Sequence, residues 1–430
     1  MKKYIIFLLP IFLYSADFSD IIKSIDTNLL IKSKQQQTKA LQKLLEAKKA
    51  KNYPSIDVHV EAIRLRDTPS TVFDIGGVKY PSTIGTRTNL NAELSITYPL
   101  FTGFAITKSI QKAELKVVKS QLETKELKRE LYLKIASIYS SIYSLNQAIN
   151  ASLEAKTAIE KSYKKAKGLY DNGLINISNL YNIEAKKYEI ISTIKGYKEQ
   201  KNSLINDLFY LTNIKTDVKE LPNIKLYKDK KSLTDTALKT RADIKAIKTE
   251  LKLDNSDIAL AKSKYYPTIA LFGAVKKQGD TLRLNGNGFT NADQSYIGAA
   301  LYYNIFDGKE KQSQREAAYA KRTARVLYFS DYKRAVKKEI FNAISKLNSL
   351  KYQSFATKKE VEASKSYYEL INGRFENSMA SGDELSRAIA HLAQIKAKEQ
   401  NIKAKIFLQK CKILLLTGSD YFLKKLTLGI

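Results

Sequence analysis

Between Thr88 and Phe104 the chain changes its hydrophobic period, and nothing else in the sequence limits the possible folds as much. Leu90, Ala92, Leu94, Ile96 and Tyr98 alternate with Asn89, Asn91, Glu93, Ser95 and Thr97, which is a strand with one apolar and one polar side. Pro99 has no N–H for a ladder and is expected to end that strand. Gly103 supplies the backbone freedom to turn the chain. From Phe104 to Lys167 there is then no proline or glycine, a stretch able to form a helical rod of about 95 Å. Tyr98-Pro99-Leu100-Phe101-Thr102-Gly103 returns 205 residues later as Tyr303-Asn304-Ile305-Phe306-Asp307-Gly308. A sheet hands over to a very long helix twice.

The rest of the chain follows the same doubled plan. Phe18–Asn52 is helical in pattern and stops before Tyr53-Pro54, because the residue preceding proline resists the α region. Ile56, Val58, Val60 and Ala62 then alternate with Asp57, His59 and Glu61. A loop bearing Pro69, Gly76, Gly77, Pro81 and Gly85 separates this strand from the next. Within the rod, Leu131, Ile135, Ile138, Ile142, Leu145 and Ile149 are spaced as in a coiled-coil seam. Gly168 to Gly173 is expected to break the rod, and Ile177–Leu211 to return as a second helix with Ser178 near its cap.

The second half reads alike. Ser232–Lys264 is helical, and Tyr266-Pro267-Thr268-Ile269 answers Tyr53-Pro54-Ser55-Ile56 at an offset of 213. Gly279–Asn291 is a loop, Lys309–Ile371 a rod with its break beginning at Asn372-Gly373, and Glu384–Leu416 the return. Leu416-Thr417-Gly418 answers Leu211-Thr212-Asn213, again at 205. The expected organisation is a signal peptide over 1–16 and a first repeat over 17–212, with a β-hairpin at 53–101 and a helical hairpin at 104–212. A connector over 213–231 leads to a second repeat over 232–418, with a β-hairpin at 265–306 and a helical hairpin at 309–417, and then a tail over 419–430.

Composition narrows the function. Met1-Lys2-Lys3, an apolar run from Tyr4 to Leu13 and Ser15-Ala16 read as an export signal. No later stretch approaches the roughly 20 apolar residues of a spanning helix, so a membrane crossing has to be made with strands. Cys411 is the only cysteine, which leaves no disulfide framework, and no cysteine follows the signal to accept a lipid. The net charge of +30 comes from lysines spread along helix faces among glutamates, a solvated surface and not a nucleic-acid arm. His59 and His391 lack partner motifs, Gly286-Asn287-Gly288 opens no helix, and no metal, nucleotide or catalytic signature appears. The reading is of a non-enzyme without a cofactor.

Two repeats provide four strands of about ten residues, the length a tilted membrane strand needs. An open sheet edge cannot face hydrocarbon, and bacterial barrels begin at eight strands. Copies must therefore pool strands, and three copies make a twelve-stranded pore with wet faces inward. Tyr98, Phe101, Tyr265, Tyr266, Tyr303 and Phe306 would form an aromatic girdle where strand meets helix. The alternative is a soluble periplasmic coiled-coil adaptor or scaffold whose strands lie on one side of a helical domain.

The export signal, the duplicated halves, the Tyr-Pro-Ser/Thr-Ile strand openings and the Tyr-x-x-Phe-x-Gly exits resemble the TolC-type outer-membrane efflux family. The rod breaks at Asn172-Gly173-Leu174 and Asn377-Ser378-Met379 resemble that family's helix-turn signature, with Ser378 standing where glycine is usual. The resemblance implies a mainly α fold with a β-barrel portion, built as a homotrimer. Duplicated antiparallel helical hairpins form its tunnel, and four transmembrane strands per chain form a twelve-stranded barrel. It implies an outer-membrane location extending into the periplasm, and a passive exit duct for a tripartite efflux pump or type I secretion system. An adaptor and an inner-membrane pump would be partners, with docking at the two rod breaks. The exits at Tyr98, Pro99, Phe101, Gly103, Tyr303, Phe306 and Gly308 become barrel-to-helix transitions. By register the family's tunnel mouth corresponds to Glu384, Arg387 and neighbouring Asp383, and to Asn179 and Asn182 in the first half. Three copies of Glu384 would make an acidic ring, unless Arg387 pairs with Glu384 and neutralises it.

Overall fold

The first half of the computed structural model runs α1 (Phe18–Lys23), α2 (Leu29–Lys49), β1 (Ser55–Arg64), β2 (Ser70–Ile75), β3 (Val78–Thr83), β4 (Thr88–Thr102), α3 (Ala105–Asp171) and α4 (Ile177–Thr212). The second runs α5 (Lys230–Thr240), α6 (Ala242–Ser263), β5 (Thr268–Gly279), β6 (Asp293–Tyr302), α7 (Glu310–Glu376) and α8 (Gly382–Thr417). The structure describes residues 17–224, 226, 229–281, 293–418, 420, 422 and 423. The expected signal at 1–16, Gly286-Asn287-Gly288 and most of the 419–430 tail lie outside them. The fold is mainly α with a strand portion. α3 and α7 have 67 residues each and α4 and α8 have 36 each, with every bound displaced by 205. At 1.5 Å per residue each longer helix extends about 100 Å.

Several expected boundaries move. Gly168 and the Asn372-Gly373 pair lie inside α3 and α7, not at their breaks. A helix this long absorbs the roughly 1 kcal/mol that an interior glycine costs. The Phe18–Asn52 helix is interrupted at Asn28, after a 3₁₀ turn over Ser24–Thr27. The Ser232–Lys264 helix is interrupted at Arg241. These two breaks are 213 residues apart and are made by the same device. The Asn28 side-chain amide donates to the Leu211 carbonyl at 2.9 Å, and its oxygen accepts from Leu30 N–H. The Arg241 guanidinium donates to the Leu416 carbonyl at 3.3 Å. Each side chain thereby satisfies a carbonyl in the last turn of a returning helix, one of the groups that a helix C-terminus leaves orphaned.

The chain divides into two compact units that cut across the sequence repeats. One gathers the residues up to Gln37, Ser120–Ile247 and those from Phe329 onward; the other gathers Thr38–Lys119 and Lys248–Tyr328. In the first, Phe18, Ile21, Ile135, Tyr139, Leu208, Phe407 and Leu415 share one apolar cluster. Ile159, Ile183, Ile190, Phe375, Leu385 and Ile389 share a second, and Leu233, Ile244, Val336, Ile340, Ile413 and Leu416 a third. The seam of α3 is buried at Leu131, Ile135, Ile138, Ile142 and Ile149, and half-buried at Leu145. Cys411 is a buried member of the first cluster, its thiol pushed up by desolvation.

The second unit holds an antiparallel sheet in the order β1-β4-β5-β6. Pro99 does not end β4. It pairs with Ala270, the register shifts between Pro99 and Phe101, and the strand continues to Thr102. A bulge takes up the donor that proline lacks. The loop between β1 and β4 contains a second hairpin, β2–β3, turning at Gly76-Gly77, both of which have positive φ. Beside the sheet, α3, α6 and α7 are joined by an unbroken chain of ion pairs. Lys112 pairs with Asp257, Asp257 with Lys321 at 3.1 Å, and Lys321 with Asp254 at 3.6 Å. Asp254 meets Arg325 at 3.0 Å, Arg325 meets Glu250 at 2.8 Å, and Glu250 meets Lys119 at 2.6 Å. Single exposed pairs contribute little, but Asp254 is almost fully buried and is met by two cations of α7, Lys321 and Arg325.

Candidate membrane wall, mouth and tip turns

Register decides what each face of the four-stranded sheet presents. Ile56, Ile96, Gly273 and Ile297 form one row across it, and Val58, Leu94, Val275 and Ser295 the next. This face is open: Ile56 is 68% exposed, Val60 72% and Ile297 91%. On the other face His59, Glu93, Lys276 and Gln294 share a row. β1 and β6 each pair on one side only among the described residues. A sheet with an uncovered apolar face and two free edges is stable neither in water nor in lipid until its edges are closed. The alternative in which the sheet's apolar side lies against a soluble helical domain would require that face to be covered.

The two strand exits are built on the same turn and finished differently. Gly103 and Phe104 have φ of 58° and 68°, and Gly308 and Lys309 have 65° and 74°. At the first exit Gly103 is buried, and a Cβ there would lie 2.5 Å from the Ser263 carbonyl oxygen and 2.8 Å from Tyr266 Cβ. Phe104 stacks edge-on between Phe101 and Tyr266, with centroids 5.4 and 5.9 Å away. Tyr98, Pro99 and Phe101 thus belong to the last residues of a strand, while Gly103 makes the turn. At the second exit Tyr303, Phe306 and Gly308 follow the end of β6, and Phe306 is largely exposed. The Asp307 carboxylate accepts from Lys311 N–H at 3.1 Å, and Lys311 Nζ donates to the Asn304 carbonyl at 2.5 Å.

The tips of both helical hairpins end in one motif. Gly173 N–H donates to the Tyr170 carbonyl and Leu174 N–H to that of Leu169; Ser378 N–H donates to Phe375 and Met379 N–H to Arg374. This double bond pattern with a left-handed residue is the Schellman cap. The amides of Asn172 and Asn377 each donate to the carbonyl four residues back, at 2.6 and 2.8 Å. Ser378 therefore keeps the turn that glycine makes at Gly173, at φ 57° against 72°. It carries the steric cost that glycine avoids, so Ser378→Gly should raise stability by about 1 kcal/mol, read as a rise in the denaturation midpoint of the helical signal; an unchanged or lower midpoint would contradict this. Leu174 and Met379, just past each cap, are 64% and 68% exposed. Both tips present an apolar side chain to the outside.

α4 and α8 meet closely at their first turns. A Cβ on Gly382 would come within 2.7 Å of Ile183 Cδ1 and 3.1 Å of the Asn179 carbonyl. Two of the expected mouth segments are thereby brought together, with Asn179 half-buried and Asn182 exposed. Asn176, not Ser178, caps α4, its side-chain oxygen accepting from Ser178 N–H at 3.1 Å. Ser381, 205 residues on, caps α8 in a capping box. Glu384 N–H donates to Ser381 Oγ at 3.2 Å, and Ser381 N–H donates to the Glu384 carboxylate at 3.0 Å. Arg387 pairs with Asp383 and not with Glu384. The Glu384 carboxylate has no basic partner among the described residues. Sequence reading passed over the close approach at Gly382, although Ser381-x-x-Glu384 carries a recognisable capping signature.

A family model described as "Outer membrane efflux protein" matches residues 23–186 and 233–418. No curated protein matches the sequence. Among solved structures, the outer membrane protein VceC from Vibrio cholerae superposes with a TM-score of 0.75 at 17% identity, covering 94% of this chain and 96% of that one. The CmeC outer membrane channel of Campylobacter jejuni gives 0.77 at 14% identity, over 95% and 90%. A membrane protein from Pseudomonas aeruginosa gives 0.77 at 15%, over 95% and 91%. At such identities the likeness is one of fold.

Proposed function

The chain belongs to the outer membrane efflux protein family, and from that premise we propose that three copies form the passive exit duct of a tripartite efflux pump or type I secretion system. The protein lies in the outer membrane and extends into the periplasm. The observation that carries the trimer is the four-stranded sheet with an open apolar face and two unpaired edges. Three such sheets close a twelve-stranded barrel, the size at which a barrel keeps an aqueous bore. Each repeat, 17–212 and 232–418, supplies two of the four strands and one helical hairpin. The duct itself uses no energy; it gives cargo delivered by an inner-membrane pump a path past the outer membrane.

The tips at Asn172-Gly173-Leu174 and Asn377-Ser378-Met379 are the docking points for a periplasmic adaptor. Their exposed Leu174 and Met379 give apolar anchors on rigidly capped turns. The first turns of α4 and α8, with Asn179, Asn182, Asp383, Glu384 and Arg387, form the mouth. The Asp383–Arg387 pair is neutral as a unit, which leaves Glu384 as the acidic ring.

The test is the mass and conductance of the purified mature protein. A trimer giving discrete currents in a planar bilayer is the expected result, and a soluble monomer without current would overturn the duct. Glu384→Gln keeps a side chain able to cap α8 while removing three charges from the ring. It should lower the cation preference of the open channel severalfold at low salt. An unchanged preference would place the selective ring elsewhere.

A further inference from the structure

A basic rim closes the outer end of the lipid-facing surface. Arg64 is the last residue of β1, and alternation from Ile56, Val58, Val60 and Ala62 puts it on the apolar face. Lys277 on β5 is paired with Ala92 on one side and Asp293 on the other, and falls on that face too. The two stand 213 residues apart, at the offset that relates Tyr53 to Tyr266. Each repeat therefore places a tyrosine at one end of the first strand and a basic residue eleven positions on. Eleven residues advance about 36 Å along a strand, which at a tilt near 45° is about 25 Å of height. That equals the apolar band of a barrel wall. With the tyrosines at the periplasmic girdle, Arg64 and Lys277 reach the opposite headgroup layer.

Two further guanidinium groups join them. Arg66 follows in the chain, and Arg87 is held beside it by Nε donation to the Leu65 carbonyl at 3.0 Å. Arg64, Arg66 and Arg87 have no acidic partner among the described residues, whereas Lys112, Lys119, Lys321 and Arg325 in the same unit are chained to carboxylates. Unpaired guanidinium groups at headgroup depth suit phosphate, which arginine binds bidentately, and long basic side chains at a strand end reach the interface readily. We propose that Arg64, Arg66 and Arg87 bind the phosphate groups of an anionic glycolipid in the outer leaflet. The inference rests on the reading that this sheet is a barrel wall.

The mature protein, purified in dodecyl maltoside, is incubated with diphosphoryl lipid A or its phosphate-free counterpart, and the lipid retained per chain is measured after gel filtration. The wild type should retain the phosphorylated lipid severalfold better. Arg64→Gln/Arg66→Gln should cut that retention about tenfold, while Lys337→Gln, an exposed position on α7, leaves it unchanged. Equal retention of the two lipids by the wild type would overturn the proposal, and it decides the matter even if the double variant fails to assemble. So would displacement by millimolar inorganic phosphate, which would mark a small-anion site instead of a lipid surface. Bilayer conductance of the same preparation separates the two readings. Conducting trimers without lipid preference sink the rim alone, and soluble monomers sink the duct.

Discussion

Gly103→Ala should leave little of the protein assembled in the outer membrane, while Gly308→Ala, the same substitution at the equivalent place in the second repeat, should be tolerated. Both residues have the left-handed backbone of the strand exit, at φ 58° and 65°. An alanine pays about 1–2 kcal/mol for that conformation at either position. The surroundings then differ. A Cβ at residue 103 meets the Ser263 carbonyl oxygen at 2.5 Å and Tyr266 Cβ at 2.8 Å. Neither neighbour is the free end of a flexible side chain. The Ser263 carbonyl accepts from Tyr266 N–H at 3.1 Å, and Tyr266 is followed by Pro267. Relief requires moving the junction between α6 and β5, and overpacking of this kind adds about 1–3 kcal/mol.

At Gly308 a Cβ has nothing within 4 Å, so only the backbone term remains. The expected totals are about 2–5 kcal/mol against 1–2. Outer-membrane yield at matched expression and the thermal midpoint of the extracted protein measure the contrast. Equal losses in the two variants would mean that the first exit has no such crowded junction. The difference has a structural sense. One exit is wedged into the wall of its own unit by Phe101, Phe104 and Tyr266, and the other ends in an exposed Ile305-Phe306 pair.

What the sequence disclosed, and what it hid, divides along the range of the interactions involved. The four strands and two rods were legible because alternation and the lack of glycine or proline are local signals that tertiary contacts reinforce. The rule that proline ends a strand misplaced the end of β4, because the bulge between Pro99 and Phe101 is a property of the pairing with β5. β2–β3 was hidden because Pro69, Gly76, Gly77, Pro81 and Gly85 read as a loop, although Phe73 opposite Tyr80 and Ile75 opposite Val78 supply cross-strand pairs. The rods were expected to stop near Gly168 and Gly373 on propensity alone; the caps at Asn172-Gly173 and Asn377-Ser378 override it. Among the site residues, the tip turns were visible as motifs. The partner of Arg387 was not, since Asp383 and Glu384 are both within one helical turn and the choice depends on Ser381 occupying Glu384. The interruptions at Asn28 and Arg241 could not be seen at all, because each is set by a carbonyl more than 170 positions away in sequence.

Arg241→Met should destabilise the helical unit by about 3–5 kcal/mol, the cost of leaving a buried carboxylate without its partner. Arg241 is only 2% exposed. Its Nε donates to Asp243 at 3.0 and 3.1 Å and its terminal nitrogen at 2.5 Å, a forked contact that a lysine would not reproduce. Tyr332 donates to the same carboxylate at 2.7 Å. Burial pushes the Asp243 carboxyl up, but the hydrogen bonds and charge of Arg241, with Tyr332 and Ile244 N–H, outweigh it and hold the group below its ordinary range. Because the folded state binds this proton less readily than the unfolded chain, the stabilisation is complete above the unfolded value of about 3.9 and is lost as pH falls through the folded one. Arg241→Met should therefore flatten the acid limb of the stability profile below about pH 4 as well as lower its plateau. The double variant Arg241→Met/Asp243→Leu should recover most of the loss, since replacing both members of a buried pair by apolar groups is often neutral. Asn28→Ala, at the equivalent break, removes a neutral amide bond and should cost about 1–2 kcal/mol with no change in the acid limb. Denaturant midpoints followed by the helical signal across pH read all three variants. If Arg241→Met and Asn28→Ala lost the same stability and kept the same acid limb, Arg241 would be acting only as a helix cap, with its charge of no consequence.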